Sequence, residues 1–257
     1  MEGTAPVVEE NECYENEMAG IGCRDFASPI LRNNICFRNR MAGIGCRDGA
    51  RPLIVGNECR QNALAGIGVQ KKAAAIIRGN QCLDNKLVAI GAIGESSALI
   101  TDNEFSRIGG VPPMIAVKDD SNATIRHNRI SGGGVAAILV QGRATISGNT
   151  FTGIGAKQGN AVWIRENSTA AISDNAFGGY RTAVNATKAT VTGNTVNQFQ
   201  GSAIIVRESR QPAHVYGNTA ISVDPAAKVV DVQGLSGVVE QNTLKSQGRR
   251  NDQNATK

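Results

Sequence analysis

Aromatic residues and long apolar runs are the features that this chain of 257 residues has least of. Aromatic residues make up 4% of the sequence, which excludes a core built mainly on aromatic packing. No apolar run approaches the ~18 residues that a membrane-crossing helix needs, so we expect no membrane span. The chain does not open with a charged and then apolar signal peptide, and helical periodicity is absent throughout.

The charge of the chain is concentrated at its C-terminal end. The net charge is +5, but residues 245–257 contain four cations against one acid, which leaves +2 for the rest. A basic end of this size is usually solvated, so we expect no nucleic-acid partner. We predict that residues 4–244 form the folded body and that residues 245–257 form a basic, polar and disordered tail.

A repeat of 23 residues is the most informative feature that the sequence does contain. The segment Ala-Gly-Ile-Gly-Cys-Arg-Asp at residues 19–25 returns at residues 42–48 and fades at residues 65–68 and 88–91. A fixed period of roughly 20–50 residues indicates a stacked array in which each repeat contacts mainly its neighbours. The sequence therefore predicts one elongated unit.

An asparagine closes each repeat. A short β-rich stretch runs into this asparagine, and an apolar residue follows two positions after it. Asparagines stacked at equivalent turns can hydrogen-bond to the coils above and below, which gives an asparagine ladder. The eleven asparagines are Asn11, Asn34, Asn57, Asn80, Asn103, Asn128, Asn149, Asn175, Asn194, Asn218 and Asn242.

This pattern of strands, turns and aligned asparagines resembles the right-handed parallel β-helix repeat of the pectate-lyase-like superfamily. The resemblance covers residues 4–244. It implies an all-β fold, a single right-handed parallel β-helix solenoid of about ten to eleven coils with three short strands per coil. It is specific for the fold and weak for function, because the superfamily includes lyases, hydrolases, epimerases, phage tailspikes and non-catalytic proteins.

Six cysteines raise the alternatives of a disulfide, a metal site and a packed ladder of thiols. Four thiols in one column of strands ~4.8 Å apart span about 14 Å, which excludes a single zinc site with Zn–S bonds of about 2.3 Å. Neighbouring cysteines in register lie close enough for a disulfide, but their parallel Cβ vectors suit it poorly. We therefore expect buried thiols that act as small apolar side chains, and no metal. One column is Cys13, Cys36, Cys59 and Cys82, and the other is Cys23 and Cys46.

The opening strand of each coil, which is Ile21-Gly22-Cys23 in the first coil, has an inward and an outward face. All ten coils place an apolar pair inward. Outward, four glycines begin the first column and leave the backbone bare, and Trp163, the only tryptophan, follows in the same column. The second outward column has a cation in five coils, and an acid follows each at the turn: Arg24-Asp25, Arg47-Asp48, Lys118-Asp119, Arg165-Glu166 and Arg207-Glu208.

The outward face predicts a groove for a polymer, because substrate lies along one parallel sheet in the enzymes that this fold resembles. Trp163 can stack on a sugar ring, and the column of cations can pair with uronate carboxylates. The plainer interpretation is charge pairing on a solvated face. We predict a non-catalytic module that binds a polysaccharide, a surface glycan or a partner surface. Its predicted contact residues are Lys118, Trp163, Arg165, Glu166 and Arg207.

A polysaccharide-active enzyme is the alternative, with a uronate lyase favoured over a glycoside hydrolase. Its candidate catalytic residues are Lys118, Asp119 and Asp120, because a lyase needs a base near the sugar and a means to neutralise the carboxylate. We expect no cofactor for a binding module, whereas a lyase often uses Ca²⁺, which takes more ligands than two aspartates supply. His127 and His214 lie in strands that run into the asparagines, on another face. The catalytic motifs of related hydrolases and epimerases are missing, so the non-catalytic function is favoured.

The ends of the repeat bear on assembly and location. Pro6, Pro29 and Pro52 share the repeat step, so the sequence as written begins inside a coil, and no capping unit is visible. Uncapped parallel edges invite pairing with another chain, so we expect self-association. The compartment stays open: secreted or cell-surface if the N-terminus is truncated, and cytoplasmic as the sequence is written.

Overall fold

The computed structural model describes residues 3–154, 159–207, 213–233 and 237–246. Within these residues the chain forms 32 short strands and no helix, and the strands stack into three parallel sheets. Two sheets have eleven strands and the third has ten. The predicted all-β solenoid of about ten to eleven coils with three strands per coil is confirmed. The predicted tail at residues 245–257 lies almost wholly outside the described residues and stays a prediction.

Each coil contributes one strand to each sheet, and we name the sheets after the place of their strands in the coil. The pre-asparagine sheet contains β1 (Val7–Glu9), β4 (Ile30–Arg32), β7 (Leu53–Val55), β10 (Ala74–Arg78), β13 (Ser97–Thr101), β16 (Asn122–Arg126), β19 (Arg143–Ser147), β22 (Thr169–Ser173), β25 (Ala189–Thr192), β28 (Ala213–Tyr216) and β31 (Gly237–Glu240). The post-asparagine sheet contains β2 (Glu12–Tyr14), β5 (Ile35–Phe37), β8 (Glu58–Arg60), β11 (Gln81–Leu83), β14 (Glu104–Arg107), β17 (Arg129–Gly132), β20 (Thr150–Thr152), β23 (Ala176–Gly178), β26 (Thr195–Asn197), β29 (Thr219–Ser222) and β32 (Thr243–Ser246). The opening-strand sheet contains β3 (Ile21–Cys23), β6 (Ile44–Cys46), β9 (Ala65–Gln70), β12 (Val88–Ile93), β15 (Ile115–Val117), β18 (Ala136–Val140), β21 (Asn160–Ile164), β24 (Thr182–Ala186), β27 (Ser202–Val206) and β30 (Lys228–Val232).

The asparagine ladder joins the pre-asparagine and post-asparagine sheets at one corner. The side-chain amide of Asn80 donates to Oδ1 of Asn103 at 3.1 Å and to the carbonyl of Ile54 at 2.9 Å. Its own Oδ1 accepts from the backbone N–H and the amide of Asn57, at 2.8 and 2.9 Å. The same side-chain bond recurs between all successive asparagines from Asn11 to Asn242. The predicted ladder is therefore confirmed.

A second, shorter ladder lies at the corner between the post-asparagine and opening-strand sheets. Its side-chain amides link successive coils at 2.8 to 2.9 Å. Beyond its last member, Arg107 is buried and donates hydrogen bonds to the carbonyls of Leu87, at 2.9 Å, and Pro112. Burial lowers the pKa of this guanidinium, and nearby Asp84 opposes the shift. The members of the ladder are Asn16, Asn39, Asn62 and Asn85.

The interior of the solenoid is filled by inward residues of all three sheets. Cys36, Cys59 and Cys82 have no exposed surface, Cys13 is half-buried, and all six cysteines are free. The predicted ladder of buried thiols is confirmed. Phenylalanines occupy the thiol column farther along the chain, and Phe151 stacks on the next at 4.7 Å between ring centroids.

The inward pairs of the opening strands are buried in the eight middle coils, as predicted. The two end coils differ, because their strands pair on one side only within the described residues. Ile21 is half-buried in the first coil, and Val232 is 40% exposed in the last. Self-association through these ends stays a prediction. Across the residues that the structure describes, no helix has the length and apolarity that a membrane crossing requires.

Candidate functional site

A solvent-open groove lies on the outer face of the opening-strand sheet, over β3, β6 and β9. Its volume is about 330 Å³. Small residues form its floor, one wall is apolar, and the opposite wall is basic and polar. We call it the N-terminal groove. The floor is Ala19, Gly22, Ala42, Gly45, Ala65 and Gly68, the apolar wall is Met18, Met41 and Leu64, and the polar wall is Arg24, Arg47 and Gln70.

The three glycines of the floor have no conformational reason to be glycine. None of them adopts a positive φ, so an L-residue would fit the backbone. A Cβ on Gly22 would meet nothing within 4 Å, and a Cβ on Gly45 would meet only Ala19, at 3.4 Å. A Cβ on Gly68 would meet its nearest neighbour at 3.9 Å. Because folding does not require these glycines, their effect is to keep the floor of the groove open.

The polar wall carries guanidinium groups that keep donors for a ligand. Arg24 Nε lies 3.3 Å from Asp25 Oδ2, and Arg47 Nε lies 3.3 Å from Asp48 Oδ2. Both contacts use Nε, and both guanidinium-bearing side chains line the solvent-open groove. The side chain of Arg24 is 65% exposed and that of Arg47 is 47% exposed. Such pairs contribute about 0–1 kcal/mol to stability, so the wall can be rearranged at little cost.

The apolar wall was not recognised in the sequence. Met18, Met41 and Leu64 are 61%, 39% and 41% exposed, and Leu87 continues the stripe at 46%. Backbone hydrogen bonds at 2.9 to 3.4 Å connect each of these residues to the next. Their common 23-residue step was a signal available in the sequence. A row of exposed apolar side chains beside bare backbone is a surface that favours a ligand with an apolar face.

Trp163 lies on the outer face of β21, as predicted, but it is half-buried. The guanidinium carbon of Arg165 stands 5.1 Å from the centroid of its ring, within the distance of a cation–π contact. Leu139 and Asn185 flank Trp163 in register, and both are buried. Arg165 therefore occupies one face of the ring, and a sugar can stack on that face only if Arg165 moves.

The other predicted contact residues share this face without touching one another. Arg207 is exposed, and its Nε donates to Oδ1 of Asn185 at 2.8 Å. Glu166 is exposed at the turn. Lys118, Arg165 and Arg207 stand two coils apart, which is about 10 Å for each step. Glu208, the acid expected beside Arg207, lies outside the described residues.

Lys118, Asp119 and Asp120 stand where β15 ends and the next turn begins. Lys118 is half-buried and both aspartates are exposed. Asp119 and Asp120 have φ of 52° and 58°, the left-handed region, and equivalent turns of earlier coils have two positive φ values as well. Aspartate tolerates this conformation better than most residues, so the turn alone accounts for the pair. Their catalytic role stays a prediction.

Among the four predicted cation–acid pairs that lie within the described residues, two are in contact. Arg24 with Asp25 and Arg47 with Asp48 are in contact, while Asp48 also lies 3.8 Å from Lys71 of the next coil. In the described part of the chain, no three acid, cysteine or histidine side chains converge as a metal ion would require. The exposed pair Asp119 and Asp120 does not fit Ca²⁺, which takes six to eight oxygen ligands.

Comparison with known protein families gives a match to one family model along most of the chain. The family model described as "Right handed beta helix region" matches residues 1–112, 42–177 and 113–250. No curated protein matches the sequence at a significant level.

Two solved structures share similarity with the chain. One is a tailspike protein mutant of E. coli bacteriophage HK620 in complex with a pentasaccharide, with 11% identity over 98% of this chain and 61% of that one and a TM-score of 0.38. The other is the catalytic unit of a thermostable GH87 α-1,3-glucanase from Streptomyces thermodiastaticus strain HF3-3, with 10% identity over 94% and 63% and a TM-score of 0.30. The chain spans less than two thirds of the length of either protein.

Proposed function

This chain belongs to the right-handed β-helix family, and we propose that it is a non-catalytic repeat module that binds a glycan along its opening-strand sheet. The observation that supports the proposal is the open floor of the N-terminal groove. Three in-register glycines that folding does not require lie between an apolar wall and a wall of hydrogen-bond donors.

The shape of the groove favours a linear polymer. The groove runs along the solenoid axis, across β3, β6 and β9, so equivalent groups recur every ~4.8 Å. A sugar ring offers an apolar face to Met41 and Leu64, and hydroxyl or carboxylate groups to the opposite wall. Arg47 can hold a carboxylate with two parallel hydrogen bonds, which favours an acidic glycan over a neutral one.

Trp163, Arg165 and Arg207 provide a second set of contacts on the same sheet. Five coils separate Gly45 from Trp163, which is about 24 Å along the axis. A long glycan that occupies the N-terminal groove can therefore reach Trp163. In this arrangement, Arg165 would leave the ring face and pair with the ligand.

The experiment is a glycan-array screen followed by calorimetry with the best acidic ligand. In a double variant, Gly22→Val and Gly68→Val fill the floor of the groove, and we expect the affinity to fall about tenfold or more, the effect of losing a subsite worth at least 1.4 kcal/mol. The matched control carries Thr124→Val and Thr145→Val on the outer face of the pre-asparagine sheet, and its affinity should equal that of the wild type. Equal binding by the groove-filled variant, or no glycan bound at all, would contradict the proposal.

A uronate lyase is the second candidate, favoured by the placement of Lys118 on the same face as the groove. A lyase would release 4,5-unsaturated uronides, detected by their ultraviolet absorbance, and Lys118→Ala would abolish the release. The proposed binding module releases no product, and Trp163→Ala lowers its affinity for the glycan. Chelation of Ca²⁺ in the same assay tests the cofactor that the lyase alternative implies.

A further inference from the structure

The first cysteine in the thiol column of the post-asparagine sheet is more exposed to solvent than the others. Cys13 on β2 is half-buried, whereas Cys36 on β5 and Cys59 on β8 have no exposed surface. The strands are parallel and in register, so that Cys13 is the direct partner of Cys36. Solvent therefore reaches this column at Cys13.

The pairing distance of the first two thiols fits a disulfide. Neighbouring strands lie ~4.8 Å apart, within the range of about 4.4–6.8 Å that disulfides need between Cα atoms. Parallel Cβ vectors leave the Cβ atoms somewhat too far apart, so one strand has to tilt. Within the described residues β2 pairs only with β5, whereas β8 is held between two strands. β2 is therefore less constrained than β8 within these residues.

The other thiol pair at this end lines the N-terminal groove but has little exposed surface. Cys23 on β3 is in register with Cys46 on β6, but it is only 6% exposed. Its Sγ donates a hydrogen bond to the carbonyl of Gly45 at 3.6 Å. Cys13 makes contact with solvent, so an oxidant meets it first.

We propose that Cys13 and Cys36 form a site of reversible thiol oxidation that joins the first coil to the second. The oxidant is a small-molecule disulfide. The sulfur of Cys13 loses its proton and attacks one sulfur of the oxidant, whose S–S bond breaks and releases one thiolate. The sulfur of Cys36 loses its proton and attacks the Cys13 sulfur, which releases the second thiolate. Two cysteine thiols are oxidised to one disulfide, and the oxidant is reduced to two thiols.

The bond bears on the N-terminal groove, because the first coil supplies Met18, Gly22 and Arg24 to it. A covalent link between residues 13 and 36 closes a loop of one repeat and removes conformations from the opened state of that coil. Local opening of the first coil becomes rarer, so the residues that this coil supplies to the groove stay in place. The disulfide can form whatever ligand the groove binds.

The test is incubation of the reduced, folded chain with oxidised glutathione, followed by alkylation and tryptic peptide mapping without reductant. Trypsin separates the two candidate partners, because Cys36 lies on the peptide 33–38 and Cys46 on the peptide 41–47. We expect the N-terminal peptide, residues 1–24, to be linked to 33–38, and fragmentation of the linked pair to place the bond on Cys13 rather than on Cys23 of the same peptide. Amide hydrogen exchange in residues 7–23 should slow about tenfold or more in the oxidised chain.

Two variants keep the result clear of folding defects. Cys36→Ser should stop at a mixed disulfide between Cys13 and glutathione, and the matched variant Cys82→Ser should react as the wild type does. A link to the peptide 41–47, a mixed disulfide that persists at Cys13 in the wild type, or the absence of any reaction at Cys13 would each overturn the proposal.

Discussion

Glycine has two different roles in the near-identical coils, and the two kinds of position differ in what a methyl group would meet. Gly43 is buried at the corner of the second asparagine ladder, where an added Cβ would lie 2.9 Å from the amide of Asn62 and 2.9 Å from the carbonyl of Gly66. Gly22 lies on the floor of the N-terminal groove, where an added Cβ would meet nothing within 4 Å. The first glycine is required by packing and the second is not.

Alanine substitutions distinguish these roles. We expect Gly43→Ala to lower the free energy of unfolding by about 1–3 kcal/mol, because a backbone carbonyl cannot give way to a methyl group. Gly22→Ala is the matched control, and it should leave stability unchanged or raise it by up to about 1 kcal/mol, because it restricts the unfolded chain. Denaturant unfolding of both variants measures the difference. Similar losses in the two variants would show that the floor glycines are also structural.

At the scale of the secondary-structure elements, the asparagine ladder is strongest where it is buried. Asn80 is 1% exposed, and its side chain serves the backbone N–H of Asn57 and the carbonyls of Ile54 and Arg78. Asn80→Ala removes all of these hydrogen bonds, although the carbonyl of Arg78 keeps the one from the N–H of Gly56. We expect a loss of about 3 kcal/mol or more. Asn11→Ala, at the exposed end of the ladder, should cost about 1 kcal/mol. Thermal unfolding followed by circular dichroism compares them, and equal losses would argue against a ladder that stabilises the interior.

The thiol column makes stability depend on pH. The hydrogen bond to Cys59 and burial raise the pKa of Cys36. Above the ordinary thiol pKa of about 8.5 the unfolded chain has lost this proton and the folded chain keeps it, so stability falls as the pH rises. The free energy of unfolding keeps its full value below pH ~8.5. Above that pH, each buried thiol of this kind lowers it by about 1.4 kcal/mol per pH unit. Urea unfolding in reductant at a series of pH values measures this dependence. The free energy of unfolding should fall less steeply with pH in Cys36→Val than in the wild type, and as steeply as in the wild type in Thr145→Val.

Periodicity in the sequence was sufficient for the fold but not for the candidate site. Each ladder residue returns at a fixed step, so the columns of Asn and Cys can be aligned without knowledge of the backbone. The apolar wall could not be placed by strand alternation, because Met18, Met41 and Leu64 all precede their opening strands. Gly66 and Ile67 are neighbours in sequence, yet a Cβ on Gly66 would meet the inward Cys82 and Ile67 is fully buried. The cover over Trp163 depends on the rotamer of Arg165, which no repeat encodes.

At the scale of the whole molecule, the solenoid is a stack in which each coil contacts the next. Such stacks gain stability from each repeat and each interface, so a whole coil can be lost without loss of the fold. Successive coils keep one register, in which Leu31 pairs with Ile54 and both point inward. A shift of one residue within a strand would turn every inward side chain of that strand to the surface. Whether a deletion removes a whole repeat should therefore matter more than how many residues it removes.

Two deletions that start at the same residue test this. Removal of residues 31–53 joins Ile30 to Ile54 and restores the repeat, so we expect a folded chain with the β-sheet circular dichroism of the wild type. Removal of residues 31–52 leaves one extra residue in the same strand and puts Ile54 outward, which exposes an apolar side chain and displaces Asn57 from the ladder. We expect this shorter deletion to lower the melting temperature more than the longer one does. If the two variants melt alike, turns rather than strands determine the register. The strands would then not restrict the spacing between ladder asparagines, which varies from 19 to 26 residues.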